Sequence, residues 1–285
     1  IVITSGKGAV LRDVHGKEYL DANSSIWTNL HGHAHLKINS AIQKQLKKIS
    51  HSSALGFANE PAALLAAELV KAANSGIYDL GFTIDEAKAK PTRKSKIENR
   101  KLEKVFFSDD GSTAMEVALK LAYEFARRSG RSQNPKFLSL GGAYHGDTIG
   151  AVSAGHIDLF HKAYSGLLFK TDKVAAPYCY RCPHNKAKPE RGDARDYRKC
   201  KFECLKWVEQ KFSAQRKTKN PYAAMIVEPL MQGAAGMIAQ TEGWLKRVAE
   251  IVRKDGAQLI ADEVMTGFGR TGVGESGKVR KWENG

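Results

Sequence analysis

A chain of 285 residues, 42% hydrophobic and 26% charged, can bury a large α/β core and has an ordinary globular composition. No apolar run reaches membrane-spanning length and residues 1 to 16 lack a basic–apolar–small leader layout, so no membrane partner and a cytoplasmic location are expected. The net charge of +15 raises nucleic acid, but the excess lies in residues 88–104 and 181–219 without an RNA-binding signature or regularly interleaved aromatics; solvated basic faces account for it, and no nucleic-acid partner is expected.

The chain begins at Ile1 without methionine and in an alternating pattern, so an N-terminal piece is expected to be missing. Val10-Leu11-Arg12 and Glu18-Tyr19-Leu20 flank the turn Asp13-Val14-His15-Gly16 and predict a hairpin. A polar stretch from Asp21 follows, with His31, His33 and His35 at alternate positions. No acid or cysteine follows at ligand spacing, which favours loop-capping histidines over a metal site. Ile38, Ile42, Leu46 and Ile49 carry helical periodicity, and Asn59-Glu60-Pro61 starts a second helix running to Ala73. Residues 1–50 are thus read as an N-terminal segment of hairpin, loop and first helix. Residues 51–272 form a large domain, interrupted at about 80–103 by a polar surface insertion around Pro91.

Val105-Phe106-Phe107 is a predicted short strand. It leads through Ser108-Asp109-Asp110-Gly111-Ser112-Thr113 into a helix whose buried face holds Met115, Leu119, Ala122 and Phe125 or Ala126. Unpartnered first-turn amides and the helix dipole favour an anion such as phosphate there; an N-cap serving only the helix has the same residues. Phe137–Leu140, another strand, precedes Gly141-Gly142-Ala143-Tyr144-His145-Gly146-Asp147-Thr148. Flanking glycines let Tyr144 or His145 approach a flat heteroaromatic ligand, although a tyrosine in a turn also packs. Cys179, Cys182, Cys200 and Cys204 form Cys-x2-Cys and Cys-x3-Cys pairs, a spacing that admits a structural zinc ion and equally admits free thiols.

Strand Tyr222–Pro229, the loop Gln232–Gly236, helix Gly243–Asp255 and strand Leu259–Ala261 predict a parallel strand–helix–strand unit. Ligands of such sheets sit beyond the carboxyl ends of the strands, where Glu228, Asp262 and Glu263 fall. A carboxylate at Asp262 can bind a metal, a ribose or a protonated ring nitrogen, or cap the next turn.

Taken together and in this order, Gly111-Ser112, Tyr144-His145-Gly146-Asp147, Glu228-Pro229 and Asp262-Glu263-Val264 resemble the class III aminotransferases, which are pyridoxal-phosphate enzymes of fold type I. The resemblance runs from about Ser5 to Gly272. It implies an α/β large domain with a mostly parallel central sheet flanked by helices, its C-terminal part missing, and a homodimer in the complete enzyme. It places the cofactor phosphate at Gly111 and Ser112, the cofactor ring on Tyr144 with His145 beside it, Glu228 at the edge of the site, Asp262 at the ring nitrogen and Trp27 in the substrate pocket. Glu263 is expected to serve the structure. Within the class, Ser24–Trp27, His31–His33 and Ile157–His161 resemble members of the biotin pathway, which form 7,8-diaminopelargonic acid from 8-amino-7-oxononanoate. Their amino donor is S-adenosylmethionine or lysine, and Ile26-Trp27 looks more like the lysine users. Another class III ω-amino-acid aminotransferase and a non-catalytic zinc-binding module are the alternatives. The lysine that carries the cofactor in this class lies beyond the matched stretch. The tail 273–285 departs from the family, neither Lys278 nor Lys281 takes the role, and the 285 residues are expected to be inactive alone.

Overall fold

The computed structural model describes residues 1–74, 102–184, 200–241 and 243–270. Most of the polar insertion, the tail 273–285 and both tail lysines lie outside the described residues. The chain divides into two compact units, Ile1–Ser75 with Lys101–Val105, and Gly76–Arg100 with Phe106–Gly285. The helix that follows residue 50 therefore stays with the N-terminal unit.

That unit opens with an antiparallel sheet of β1 (Ile3–Lys7), β2 (Val10–Asp13) and β3 (Glu18–Leu20). Asp13 shapes the predicted turn by accepting from the His15 and Lys17 amides and from the Tyr19 hydroxyl, the bonding that suits aspartate to a turn. The polar loop then winds through α1 (Ser24–Trp27), whose four residues all hold positive φ, from 50° to 69°. L-residues take this left-handed form at a cost, so a run of four non-glycines marks a constrained segment. His33, one of the alternating histidines, pairs through Nε2 with Asp21 at 2.7 Å, a capping arrangement in place of a metal site. Helices α2 (Leu36–Lys48) and α3 (Glu60–Asn74) follow; the Asn59 side chain accepts from the Ala62 amide at the start of α3. Neither helix buries a residue, so the apolar row Ile38, Ile42, Leu46 stands uncovered.

The second unit holds a parallel sheet in the order β5-β4-β6-β9. Its elements are α4 (Gly111–Arg128), β4 (Lys136–Leu140), α5 (Ile149–Ala154), α6 (Asp158–His161), β5 (Asp172–Val174), α7 (Leu205–Arg216), β6 (Tyr222–Val227), the short pair β7 (Met231–Gln232) and β8 (Ile238–Ala239), α8 (Trp244–Asp255) and β9 (Gln258–Ala261). Every residue of β6 is buried because helices cover both faces. Met225 and Val227 point into a core with Phe212 of α7 and Val248 and Val252 of α8; Ala224 and Ile226 point into one with Met115, Leu119 and Ala126 of α4 and Ala151 of α5. Of the two alternatives on α4, Ala126 is the buried one and Phe125 is exposed. Residues 105–107, expected as a strand, form none: the apolar triplet finds no ladder partner among the described strands, and Phe106 and Phe107 are exposed.

Asp255, at the end of α8, closes this unit at its amino-terminal edge. Its buried carboxylate takes Arg131 at 2.7 Å and Arg216 at 2.5 Å, while Arg131 also donates to the Tyr222 and Asp255 carbonyls.

Candidate active site

Strand register builds the site. β6 and β9 run parallel with Val227 opposite Ala261, and the Asp262 amide donates to the Val227 carbonyl at 2.8 Å. Glu228 and Asp262 therefore leave the sheet side by side at its carboxyl end, as Leu140 does at the end of β4 before the loop 141–148.

That loop is tied to both acids. The Tyr144 amide donates to Glu228 Oε1 at 3.1 Å, and His145 Nδ1 meets Asp262 Oδ2 at 2.7 Å. The second Glu228 oxygen accepts from the Gly233 amide at 2.8 Å, so Glu228 clamps the loop 141–148 to the loop after β6. Burial pushes the Glu228 carboxyl above its ordinary range, against the pull of those two amides and of His145. Glu263 is likewise raised, by burial first and by the Asp262 charge second. Asp262 keeps its own Oδ1 on the Val264 amide at 3.2 Å.

The start of α4 packs onto the same place. A methyl group at Gly111 would meet Val264 Cγ2 at 2.7 Å, and one at Gly146 would collide with Ser112, so the two glycines let helix start and loops touch. Ser112 Oγ accepts from the Thr148 amide at 2.9 Å and lies 2.8 Å from Thr148 Oγ1. Asp110 caps the helix, accepting from the Thr113 amide at 2.7 Å in a capping box. Asp110 thus caps the helix, while Gly111 and Ser112 face the loops of Val264 and Gly146.

Tyr144 is half-buried and braced. Its ring lies parallel to His161 (8°, centroids 5.9 Å apart) with Phe160 edge-on. Its hydroxyl donates to Asp147 Oδ2 at 3.0 Å, and Asp147 Oδ1 meets His161 Nε2 at 3.1 Å. Burial, then the Asp147 hydrogen bond, raises the tyrosine pKa. The Ile157 amide donates to His161 Nδ1, so the proton of a neutral His161 sits on Nε2 and points at Asp147. Sequence reasoning did not single out Thr148 or Asp147, though both stood in the quoted loop, or His161, which stood in the quoted Ile157–His161 segment.

Gly111, Ser112, Tyr144, His145, Glu228 and Asp262 are thus brought together in one unit. Trp27 belongs to the other unit, at the end of the left-handed turn α1. The four cysteines stand apart from the site, and zinc is not assembled there: among the described residues no three His, Cys, Asp or Glu side chains are gathered to hold a metal ion. Nor is any described helix long and apolar enough to cross a membrane.

The sequence pattern of the aminotransferase class-III family matches residues 1–274. The chain belongs to the class III aminotransferases. Curated relatives include the adenosylmethionine-8-amino-7-oxononanoate aminotransferases of Geobacter sulfurreducens, 41% identical over 96% of this chain and 52% of the relative, and of Aquifex aeolicus, 40% identical over 96% and 52%. Among solved structures, the enzyme of that name from Methanocaldococcus jannaschii superposes with a TM-score of 0.74 at 35% identity, covering 96% of this chain and 51% of the other. An amine transaminase from an uncultivated Pseudomonas species, in a PLP-bound form, gives 0.74 at 29% identity, covering 96% and 54%. The fold is that of fold type I pyridoxal-phosphate transferases, and the chain spans about half the length of the curated relatives it matches.

The residues present fit the family's cofactor. A helix start lies beside a strand-end carboxylate and a braced aromatic ring, and His145 Nε2 is a buried polar atom with no hydrogen-bond partner among the described residues.

Proposed function

We propose that this chain is the cofactor-holding half of a transaminase that converts 8-amino-7-oxononanoate to 7,8-diaminopelargonic acid in biotin biosynthesis, using pyridoxal phosphate. The observation that carries the cofactor reading is the His145–Asp262 pair at 2.7 Å beside the start of α4. The substrate reading rests on the relatives' names and on the resemblance of Ser24–Trp27, His31–His33 and Ile157–His161.

When bound, pyridoxal phosphate supplies a ring able to accept electrons from the amino donor. Gly111 and Ser112, at the positive end of α4, bind its phosphate. Tyr144 covers a face of the ring and is held flat by His161 and Asp147. Asp262 holds a proton at the ring nitrogen, and His145 fixes the carboxylate that does so. Glu228 fixes the loop bearing Tyr144 and His145, an indirect role for a residue whose two oxygens are both taken by amides. Trp27 shapes the substrate pocket. The relatives' names give adenosylmethionine as donor, while Ile26-Trp27 favours lysine. The uncovered apolar row of α2 supports a homodimer, and the enzyme is placed in the cytoplasm.

Titrating the chain with pyridoxal phosphate tests the site: Asp262→Asn should weaken binding about tenfold, or about 1.4 kcal/mol. Unchanged affinity would remove Asp262 from the cofactor. Complementation of a biotin auxotroph by the complete gene that contains this sequence tests the substrate; failure alongside turnover of other ω-amino acids would favour a different class III activity.

A further inference from the structure

The strained turn α1 is held by bonds that converge on one carboxylate. Ser24, Ser25, Ile26 and Trp27 stand at φ of 53°, 50°, 56° and 69°, a left-handed turn built without a glycine. L-residues leave that region unless their surroundings impose it. The Asp21 side chain supplies two of the bonds that do so: Oδ1 accepts from the Ser25 amide at 2.9 Å, and Oδ2 from the Ser25 hydroxyl at 2.8 Å. Asn23 adds two more, its carbonyl taking the Trp27 amide at 2.9 Å and its side chain the Ile26 amide at 3.5 Å. The Ser25 amide first, then the Ser25 hydroxyl and His33, hold Asp21 below the usual carboxylate range, so it stays charged.

Asp21 is itself fixed by the hairpin, through His33. Asp21 Oδ2 meets His33 Nε2 at 2.7 Å, with the carboxylate 6% and the imidazole 17% exposed. Asn29 Nδ2 lies 3.4 Å from His33 Nδ1 and can only donate there, so the proton of a neutral His33 sits on Nε2 and points at Asp21. The His33 backbone is bonded to Gly8 in both directions, its amide to the Gly8 carbonyl at 2.8 Å and the Gly8 amide to its carbonyl at 3.0 Å. The Asp21 amide donates to the adjoining Ala9 carbonyl at 2.9 Å. Small residues admit this approach: a methyl group at Gly6 would lie 2.9 Å from His33 Cγ, and one at Gly32 would lie 2.8 Å from the Gly8 carbonyl oxygen. The base of the loop 21–33 is thus sewn to the connection between β1 and β2. One path of contacts runs from there through His33 and Asp21 to Ser25, two residues before Trp27.

We propose that His33 and Asp21 are positioning residues for the substrate, locking the left-handed turn so that Trp27 is presented in one orientation. The proposal rests on the reading of Trp27 as a substrate-pocket residue. Neither His33 nor Asp21 touches substrate or cofactor in this role. Loss of the imidazole frees the Asp21 carboxylate to rotate off Ser25, and loss of the Asp21 charge weakens its hold on Ser25 and His33 alike. Either change lets residues 24–27 relax toward the ordinary helical region. A half-buried indole on a relaxed turn samples several orientations, and substrate must then fix one of them as it binds. The signature is weaker substrate binding with the chemical steps intact, because the residues assigned to the cofactor belong to the other compact unit.

Two measurements test it, one of which needs no activity. In the 285-residue chain labelled with nitrogen-15 at its tryptophan indoles, the Trp27 resonance is assigned by its loss in Trp27→Ala. His33→Ala and Asp21→Asn should shift or broaden that resonance and leave those of Trp207 and Trp244 in place. In the enzyme encoded by the complete gene, the same two substitutions should raise KM for 8-amino-7-oxononanoate about tenfold and change kcat by less than about twofold. His33→Gln keeps a side-chain N–H for Asp21 and should recover most of both effects. An unmoved Trp27 resonance overturns the proposal, and so does a His33→Gln variant no better than His33→Ala. A raised KM in Trp27→Ala beside an unaltered one in His33→Ala and Asp21→Asn overturns the proposal alone. An unaltered KM in Trp27→Ala overturns the pocket reading of Trp27, and the proposal falls with it.

Discussion

His145 and Asp262, separated by 116 residues of sequence, form a pair at 2.7 Å in which the imidazole is fully buried and the carboxylate nearly so. A buried acid that loses its one side-chain partner keeps its desolvation cost, so His145→Ala and Asp262→Asn should each destabilise the unit by about 1–3 kcal/mol. Because each substitution removes the same contact, the double variant should cost less than the sum. Urea denaturation of the four proteins measures this coupling; strict additivity would mean the two side chains do not act as a pair.

Gly146 is the tightest joint between the loop and the helix. Its φ of +109° and the Ser112 atoms within 2.4 Å of an added methyl leave no room for a side chain. Gly146→Ala should cost more than about 2 kcal/mol, strain and overpacking together, and should weaken pyridoxal-phosphate binding. Gly111→Ala meets only the flexible Val264 side chain, so Val264→Ala should restore most of its stability. Thermal melts of the single and paired variants check both statements.

Much of this was legible in the sequence, and the reasons differ by element. β6 and β9 are apolar runs ending in acids, and strands of a parallel sheet read that way, so the sheet's carboxyl end and Asp262 could be found without coordinates. Residues 105–107 look equally strand-like in isolation. Whether an apolar triplet joins a ladder depends on a neighbour that local pattern does not contain. Glu228 was recognisable as a strand-end acid, but that both of its oxygens go to amides, from Tyr144 and Gly233, depends on two loops meeting. The role of His161 was hidden for a similar reason: it bonds Asp147, fourteen residues earlier, through a ring nitrogen whose tautomer is set by the Ile157 amide.

Asp255 should be the most sensitive point outside the site. Arg131→Ala leaves a buried carboxylate dependent on Arg216 and strips donors from two carbonyls, which should destabilise by about 3 kcal/mol. Replacing Arg131 by Lys should recover only part, since one ammonium cannot span three acceptors. Chemical denaturation of both variants gives the comparison.

Glu228 predicts a pH dependence of definite sign. Its folded pKa is raised above the ordinary 4.5, so the folded state holds the proton more tightly than the unfolded chain does. The stabilisation this linkage provides is complete below the unfolded value and is lost as pH rises through the raised folded value. Relative to Glu228→Gln, which does not titrate, the wild-type protein should therefore lose ground as pH increases from about 4 upward. The difference in unfolding midpoint, followed against pH, should fall; a flat or rising difference would contradict the assignment.

The β6–β9 ladder has a selective effect. Asp262 and Glu263 are adjacent acids, and in a strand neighbouring side chains point to opposite sides. With Val227 opposite Ala261, it is the shorter acid that meets His145, while burial and the Asp262 charge press Glu263 toward its neutral form. A slip of β9 by a single residue would present the longer acid to His145 and turn Asp262 away. Backbone hydrogen bonds between two parallel strands thereby decide which of two chemically similar groups meets His145 at the centre of the site.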